Sequence, residues 1–320
     1  MLNVHHLRTL AEVVSTGSFA AAAVSLGYTA SAVSQQMTAL ERATGLVLFE
    51  RGARSARPTS AARHLASRGA GLIDQLTGVE RDARSLAAGA RGVVRLGSFP
   101  TASAALVPGA IARLLRRTPE VAVQLDEGEP DDLVAALRSG SVDVAVVYRY
   151  PLSPRRWPPD MVATPLLDDP LRLTVAADHR IVTRPSWRLA DLAGETWIAS
   201  RETTAGARAL ARLCADAGFT PRVAFRSNDY AVVRALVRAG LGVALVPALA
   251  DALGTGGGVH QCAVTDARGG PARREVFVLH RPDSSAPLVP ATVEALRRAA
   301  EGLGRRINRQ EPTCAPGTAS

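Results

Sequence analysis

Ser31, Ser34, Gln35 and Thr38 are the residues whose types and spacing point first to chemistry. They stand three and four positions apart and lie mostly off the stripe formed by Val33, Met37 and Leu40, so on a helix they face away from the core. Short hydroxyls and an amide on such a face suit the hydrogen-bonding edges of bases and the oxygens of phosphates. Five arginines follow: Arg51, Arg54, Arg57, Arg63 and Arg68, with no acidic residue between Glu50 and Asp74. That distribution fits phosphate neutralisation or insertion into a minor groove. It fits an ordinary solvated surface as well, so the run says little alone.

Two helices must hold these residues. Ser18 follows Thr16-Gly17, and its hydroxyl is a suitable cap for a helix over residues 18–26. Phe19, Ala22, Ala23 and Leu26 then share one face. Gly27 supplies the backbone freedom of a helix C-terminus, and Thr29 is a candidate cap for a second helix over about 30–43. Two short helices, a tight turn and an arginine-bearing loop form the layout of a winged helix-turn-helix, whose second helix lies in the DNA major groove. A generic amphipathic helical pair is the alternative.

From Thr59 to about Ala88 there is no proline. Leu65, Gly69, Leu72, Leu76, Val79, Ala83 and Leu86 recur by fours and threes. This is a heptad seam on a helix of roughly 45 Å at about 1.5 Å per residue. A small N-terminal domain cannot cover such a seam, so a dimerisation helix is expected; a core helix of a bundle is the alternative.

Beyond Gly92 strand-like and helix-like segments alternate. Strands are expected at 93–97, 121–125, 142–148, 171–176, 197–199, 222–225, 242–246 and 274–280. Helices are expected near 102–117, 131–139, 206–217, 229–239 and 288–303. The alternation predicts α/β architecture with mainly parallel sheets.

Enzyme chemistry has no local signature. None of the six histidines lies in an H-x-x-x-H or H-E-x-x-H arrangement, and there is no G-x-S-x-G elbow. The run Gly254-Thr255-Gly256-Gly257-Gly258 opens no helix and is expected to be a turn rather than a phosphate cradle. Cys214, Cys262 and Cys314 show neither metal spacing nor an even framework, which suggests reduced thiols. The chain shows no signal-peptide pattern and no apolar run of about 20 residues, so a soluble cytoplasmic protein is expected. The 320 residues, 47% hydrophobic, suffice for two or three domains. The net charge of +9 comes from arginine with no lysine. It is spread over the molecule, and only its clustering at 51–68 favours nucleic acid.

Gly17-Ser18-Phe19, Ala22-Ala23, Leu26, Ala32-Val33-Ser34-Gln35-Gln36, Leu40-Glu41, Gly45, Leu48-Phe49-Glu50-Arg51, Arg54 and Thr59 together resemble the N-terminal domain of LysR-type transcriptional regulators. Ala30-Ser31 stand where that family often has Gln-Pro, and Ala62 where it usually has Gly. Two later segments, Gly140-Ser141-Val142-Asp143-Val144-Ala145 and residues 239–247, resemble recurring segments of its effector domain.

The resemblance implies an all-α winged helix-turn-helix domain at 1–58, a linker and dimerisation helix at 59–90, and an α/β effector domain at 91–303. That domain would have the fold of periplasmic binding proteins, with subdomain I at 91–163 plus 267–303 and subdomain II at 164–266. Residues 304–320 lack periodicity and would form a disordered tail. The implied function is sequence-specific regulation of transcription, not catalysis. The implied partners are double-stranded promoter DNA, a second copy through the linker helix, a homotetramer beyond that, a small-molecule effector, and RNA polymerase if the protein activates. No metal, other cofactor or membrane is implied.

The expected DNA contacts are Ser18, Thr29, Ala30, Ser31, Ser34, Gln35 and Thr38 from the helices, with Arg51 and Arg54 from the wing. The expected effector cleft draws on Ser98, Thr101 and Ala102 at a strand-to-helix junction, where free N–H groups favour an anion. Tyr148-Arg149, Arg201, Thr203, Thr204 and Asn228 stand at matching positions on other elements. An arginine there could clamp a carboxylate, which suggests an anionic effector; a surface arginine explains these positions equally well. Helix capping is an alternative role for the nearby Ser103. The family's peroxide-sensing branch places a resolving cysteine near Cys214, but Ala205 stands where its reactive partner would fall. A solute-binding protein would share the C-terminal fold, and the N-terminal module argues against it.

Overall fold

A computed structural model of the chain describes residues 2–50, 57–87, 92–184, 186–251, 257–267, 269–282 and 288–309. The chain divides into two compact units between Val93 and Val94, with residues 134–142 grouped with the first.

The first unit is built on three helices, α1 (Val4–Thr16), α2 (Phe19–Leu26) and α3 (Ala30–Thr44). Each starts at a side-chain cap. Asn3 accepts from the His5 N–H, Ser18 from Ala21, and Thr29 from Ala32. Gly27 closes α2 at φ 69°, where a residue with a Cβ would be strained. Its N–H reaches back to Ala23 and Val24, which fixes the tight turn into α3. Helix α1 had no place in the sequence pattern drawn above. Its Leu7, Leu10 and Val13 share one face and bury against Ala22, Val33 and Leu40. Each leucine so enclosed contributes about 1.5–3 kcal/mol of transfer free energy.

The wing follows as two short antiparallel strands, β1 (Phe49–Glu50) and β2 (Arg57–Pro58), with Phe49 opposite Pro58. Its tip, including Arg51 and Arg54, lies outside the described residues. Helix α4 spans Ser60–Ala87, matching the proline-free stretch. The expected seam divides into two parts. Leu65 packs on the core formed by α1–α3, and a Cβ placed on Gly69 would stand 3.3 Å from the Leu7 Cβ. Leu72, Leu76 and Val79 emerge from that core 53%, 43% and 64% exposed.

The second unit carries a sheet in the order β4-β3-β5-β11-β6-β9-β7-β8, with β10 beside β6. The strands are β3 (Val93–Ser98), β4 (Ala122–Glu127), β5 (Val144–Arg149), β6 (Val162–Ala176), β7 (Thr196–Ala199), β8 (Arg222–Arg226), β9 (Val243–Pro247), β10 (Val259–Ala263) and β11 (Arg273–His280). The helices after α4 in the chain are α5 (Pro100–Ala105), α6 (Val107–Arg117), α7 (Pro130–Ser139), α8 (Ala205–Asp216), α9 (Tyr230–Arg238) and α10 (Val289–Arg309), with most of α7 falling in the residues grouped with the first unit. The sheet is mixed, which corrects the expectation of mainly parallel strands. β3–β5, β7–β8 and β7–β9 are parallel, whereas β11 runs antiparallel to β5 and β6, as β6 does to β9 and β10.

Strand β6 explains the difference. Only its second half, 171–176, has an apolar run. Its first half contains Pro165, Asp168, Asp169 and Pro170, which are poor strand formers. Pairing with β11 over 162–170 holds that half extended, with a register shift at Val276/Phe277. The second half pairs with β9 and β10, so one strand runs through both halves of the sheet.

Two helices also depart from expectation. The predicted helix at 102–117 breaks at Leu106 into α5 and α6, with Pro108 in the first turn of α6. Helix α10 continues to Arg309 rather than ending near Leu303. Ile307 is buried, and its carbonyl accepts from Arg172 Nη2 at 3.2 Å. The tail expected from 304 is therefore helical through 309, and residues 310–320 lie outside the described ones.

Candidate functional site

The outer face of α3 comes from its inner one. Val33, Met37 and Leu40 are buried, which leaves Ala30, Ser31, Ser34, Gln35 and Thr38 exposed on the turns between. The Thr29 hydroxyl caps α3 and lies 3.0 Å from the Ser31 hydroxyl. Thr38 donates to the Ser34 carbonyl at 3.0 Å and keeps its oxygen free to accept. Gln36, by contrast, turns inward and accepts from the Thr9 hydroxyl at 2.6 Å, tying α3 to α1. Ser18 is half-buried and spends its hydroxyl on the start of α2. The first unit thus presents a polar helix face whose rotation is set by buried neighbours.

A residue quoted above only for its resemblance anchors the wing. Glu41, on α3, accepts from the Leu48 N–H at 2.7 Å and the Phe49 N–H at 3.4 Å. Its carboxylate therefore fixes where β1 leaves the helix. Arg57 lies 3.8 Å from Glu50 across the wing, and Arg63 donates to the Pro58 carbonyl at 2.8 Å. Both side chains remain exposed beside α3's wing.

In the second unit a cleft of about 40 Å³ opens at the ends of β3, β5 and β7. Its floor is Arg274 on β11. Arg274 Nε donates to Asp169 Oδ2 at 2.7 Å, and Nη2 reaches the Thr101 hydroxyl. The guanidinium carbon stands 4.7 Å from the Phe99 ring centre and 5.0 Å from that of Tyr148. Asp169 also accepts from the Leu249 N–H at 2.9 Å. Burial alone would lower the guanidinium's pKa. The Asp169 charge, with smaller help from the tyrosines, outweighs that and holds it above the usual arginine range.

Above this floor, Tyr148 donates to Glu129 Oε2 at 2.7 Å. Burial, then Tyr150, then Glu129, push the Tyr148 phenol far above its ordinary value, so it stays a donor. Tyr150 and Tyr230 are likewise raised, first by burial. The Ser200 and Thr204 hydroxyls lie 2.8 Å apart on the other wall. Gly206 sits beside them; a Cβ there would come within 2.9 Å of Ser200 Oγ and 3.4 Å of the Tyr150 hydroxyl. Its missing side chain keeps the wall open. A second, apolar compartment of about 30 Å³ shares Tyr150, Ser200, Gly206 and Tyr230 with the cleft. Leu171, Ile198, Leu210, Val233 and Leu245 line it.

Of the residues expected at an effector cleft, Thr101, Thr204 and Asn228 line this one. Ser98 and Ala102 are buried behind it, the Ser98 hydroxyl lying 3.3 Å from the Phe99 carbonyl. Arg149 points to the other face of β5. It pairs with Glu275 at 2.7 Å and lies over Phe277. Arg201 and Thr203 are exposed and outside the lining, although the Arg201 N–H donates to Asn228 Oδ1 at 3.0 Å. Ser103 lies within α5 with a buried hydroxyl and does not cap it; Phe99 holds the cap position. Tyr148, expected with Arg149 at the end of its strand, does line the cleft; Glu129, Tyr150, Tyr230, Gly206 and Arg274 were not anticipated. The apolar run of β5 ending in Tyr148-Arg149-Tyr150 was the available signal, since alternation puts the two tyrosines together and the arginine opposite.

Cys214 is a free thiol wholly buried on α8, and burial pushes it up to about 12. Cys262, buried on β10, is disulfide-bonded, so the expectation of reduced cysteines is corrected there. Among the described residues no cluster of His, Cys, Asp and Glu is placed to hold a metal, and no helix is long and apolar enough to cross a membrane.

A helix-turn-helix unit with an exposed polar face on its second helix, followed by a mixed α/β unit with a cleft, has the layout of a DNA-binding regulator with an appended α/β domain. Comparison with known proteins narrows the class. Residues 4–63 match the model of the bacterial regulatory helix-turn-helix protein, lysR family, and residues 87–301 match that of the LysR substrate binding domain. The small neutral protease regulatory protein of Streptomyces coelicolor is 33% identical over 240 residues, covering 75% of this chain and 71% of that one. The HTH-type transcriptional regulator CbbR of Xanthobacter flavus is 33% identical over 250 residues, covering 77% and 72%. Among solved structures, CbnR, a LysR family transcriptional regulator, superposes with a TM-score of 0.65 at 24% identity, over 93% of this chain and 99% of that one. The chain belongs to the LysR family and is a DNA-binding transcriptional regulator with an effector-binding domain.

Proposed function

We propose that α3 reads promoter DNA through Ser31, Ser34, Gln35 and Thr38, with Ala30 and Thr29 at its groove-facing start and Ser18 near the phosphates. Arg51 and Arg54 serve as the wing contacts. The observation that carries this is the outward face of α3, whose Ser34 and Gln35 side chains are exposed above a fully packed inner stripe. CbnR has been solved as a full-length protein with its target DNA, which favours the same use of the same fold here. Two copies would pair along Leu72, Leu76 and Val79, and pairing suits an operator of two half-sites. A homotetramer and contact with RNA polymerase extend the same reading.

The cleft floored by Arg274 is the proposed effector site, in the domain that 87–301 defines. An effector bound there acts by favouring one arrangement of the protein on DNA over another. The test is fluorescence anisotropy with the DNA upstream of the protein's own gene and a scrambled duplex of equal length, over a salt series. Preference for the native fragment that persists as salt rises supports the proposal. The Ser34→Ala and Gln35→Ala variants should each lose about 1–3 kcal/mol on the native fragment and little on the scrambled one. Equal, steeply salt-dependent binding to both duplexes would overturn it.

A further inference from the structure

A groove of about 570 Å³ runs between α6 and α10, against about 40 Å³ in the cleft, and the two share no lining residue. Leu114 and Ala295, both buried, form its apolar floor. Three arginines and one glutamate stand around that floor, a net of two positive charges: Arg113 and Arg117 from α6, Arg298 and Glu294 from α10. Glu294 is already satisfied. It accepts from Arg297 Nε at 2.8 Å and from Arg298 Nε at 2.7 Å, and Arg297 also reaches Glu301 at 2.6 Å. Two acids are thus matched by Arg297 and Arg298. Arg113 and Arg117 are exposed, and neither has an ion-pair partner among the described residues. Arg116 and Glu120, exposed beside them and outside the lining, offset each other in charge. The end of α6 and the first turn of α10 both border the groove, so their opposite partial charges offset as well. Like charges one turn apart, as Arg113 and Arg117 are, repel each other unless an anion lies between them.

We propose that this groove binds a small organic dianion, a phosphate monoester or a dicarboxylate, gripped by Arg113 and Arg117 from α6 and by Arg298 from α10. Two negative charges match the two that the lining leaves uncompensated. A guanidinium fork donates paired bonds to carboxylate or phosphate oxygens, and Arg298 spends only its Nε on Glu294, which keeps its other nitrogens for the ligand. The site is additional to the cleft and does not depend on what the cleft binds.

The test is isothermal titration of the full-length protein in Tris at pH 8 and low salt with sn-glycerol 3-phosphate, succinate and glycerol. At least one dianion should bind while glycerol gives no heat, and the tighter of the two names the acid group. The affinity should fall as sodium chloride is raised. The double variant Arg113→Gln/Arg117→Gln should weaken that binding at least about tenfold, the scale of one lost hydrogen bond between charged groups. Arg116→Gln, just outside the lining, should leave it unaltered, and unchanged melting temperatures should show both variants folded. Silence with both dianions, or an equal loss in Arg116→Gln, would overturn the proposal, the latter by showing only diffuse surface charge. So would two effects of the double variant seen without any ligand. A shift in sedimentation would give the groove to a second copy of the chain, and weaker operator binding would give its arginines to the phosphates of DNA.

Discussion

Asp169 and Arg274 are cross-strand partners on β6 and β11, joined Oδ2 to Nε at 2.7 Å with side-chain exposures of 0% and 3%. They lie 105 positions apart in the chain, at the place where β6 passes from its pairing with β11 to its pairing with β9. Removing one partner leaves an uncompensated buried charge. Asp169→Ala should therefore destabilise the protein by about 3–5 kcal/mol in urea unfolding. The double variant Asp169→Leu/Arg274→Met should recover much of that loss. A double variant no better than the single one would show that the pair acts through something besides its charges.

Glu41 holds the wing by accepting two backbone N–H groups. A hydrogen bond to a charged acceptor contributes about 1.5–3 kcal/mol. Glu41→Ala should speed hydrogen exchange at the Leu48 amide by about tenfold or more and weaken operator binding. Unchanged exchange at Leu48 would mean that the carboxylate is dispensable to the wing.

Leu76 is 43% exposed midway along α4, between Leu72 and Val79. Leu76→Glu should leave a single chain nearly as stable, since exposed substitutions usually change stability by about 0.5 kcal/mol or less. It should shift sedimentation toward monomer and weaken binding to a two-half-site duplex more than to a single half-site. An unaltered oligomer would remove α4 from the pairing surface.

Cys214 is buried, and its thiol is pushed up to about 12, so it stays neutral near neutral pH. Thiolate is the reactive form. Mass spectrometry should find Cys214 unmodified by iodoacetamide at pH 8 in the folded protein and fully modified in urea. The Cys214→Ser variant should bind its operator before and after peroxide as the wild type does. Rapid modification in the folded state would reopen a redox role.

What the sequence determined by itself is the part governed by neighbours in the chain. Ser18, Gly27 and Thr29 mark the ends of α2 and α3 because capping is a contact over two to four residues. The spacing of Val33, Met37 and Leu40 then decides which side of α3 meets solvent, since helical rotation follows from periodicity alone. Strong pattern over many turns likewise made α4 legible, though not the point where its seam leaves the core, which depends on α1 crossing at Gly69. Only the tertiary structure decided the cleft. On β5 a single step separates Arg149, turned to Glu275, from Tyr148 and Tyr150, turned to the cleft, and strand parity is set by pairing rather than by residue type. The same holds for the first half of β6, whose prolines and aspartates become strand because β11 lies beside them. Thr101 and Arg274 meet across 173 positions, and no local pattern encodes which distant groups will pair, so the cleft emerges only when β3, β5, β6 and β11 are assembled.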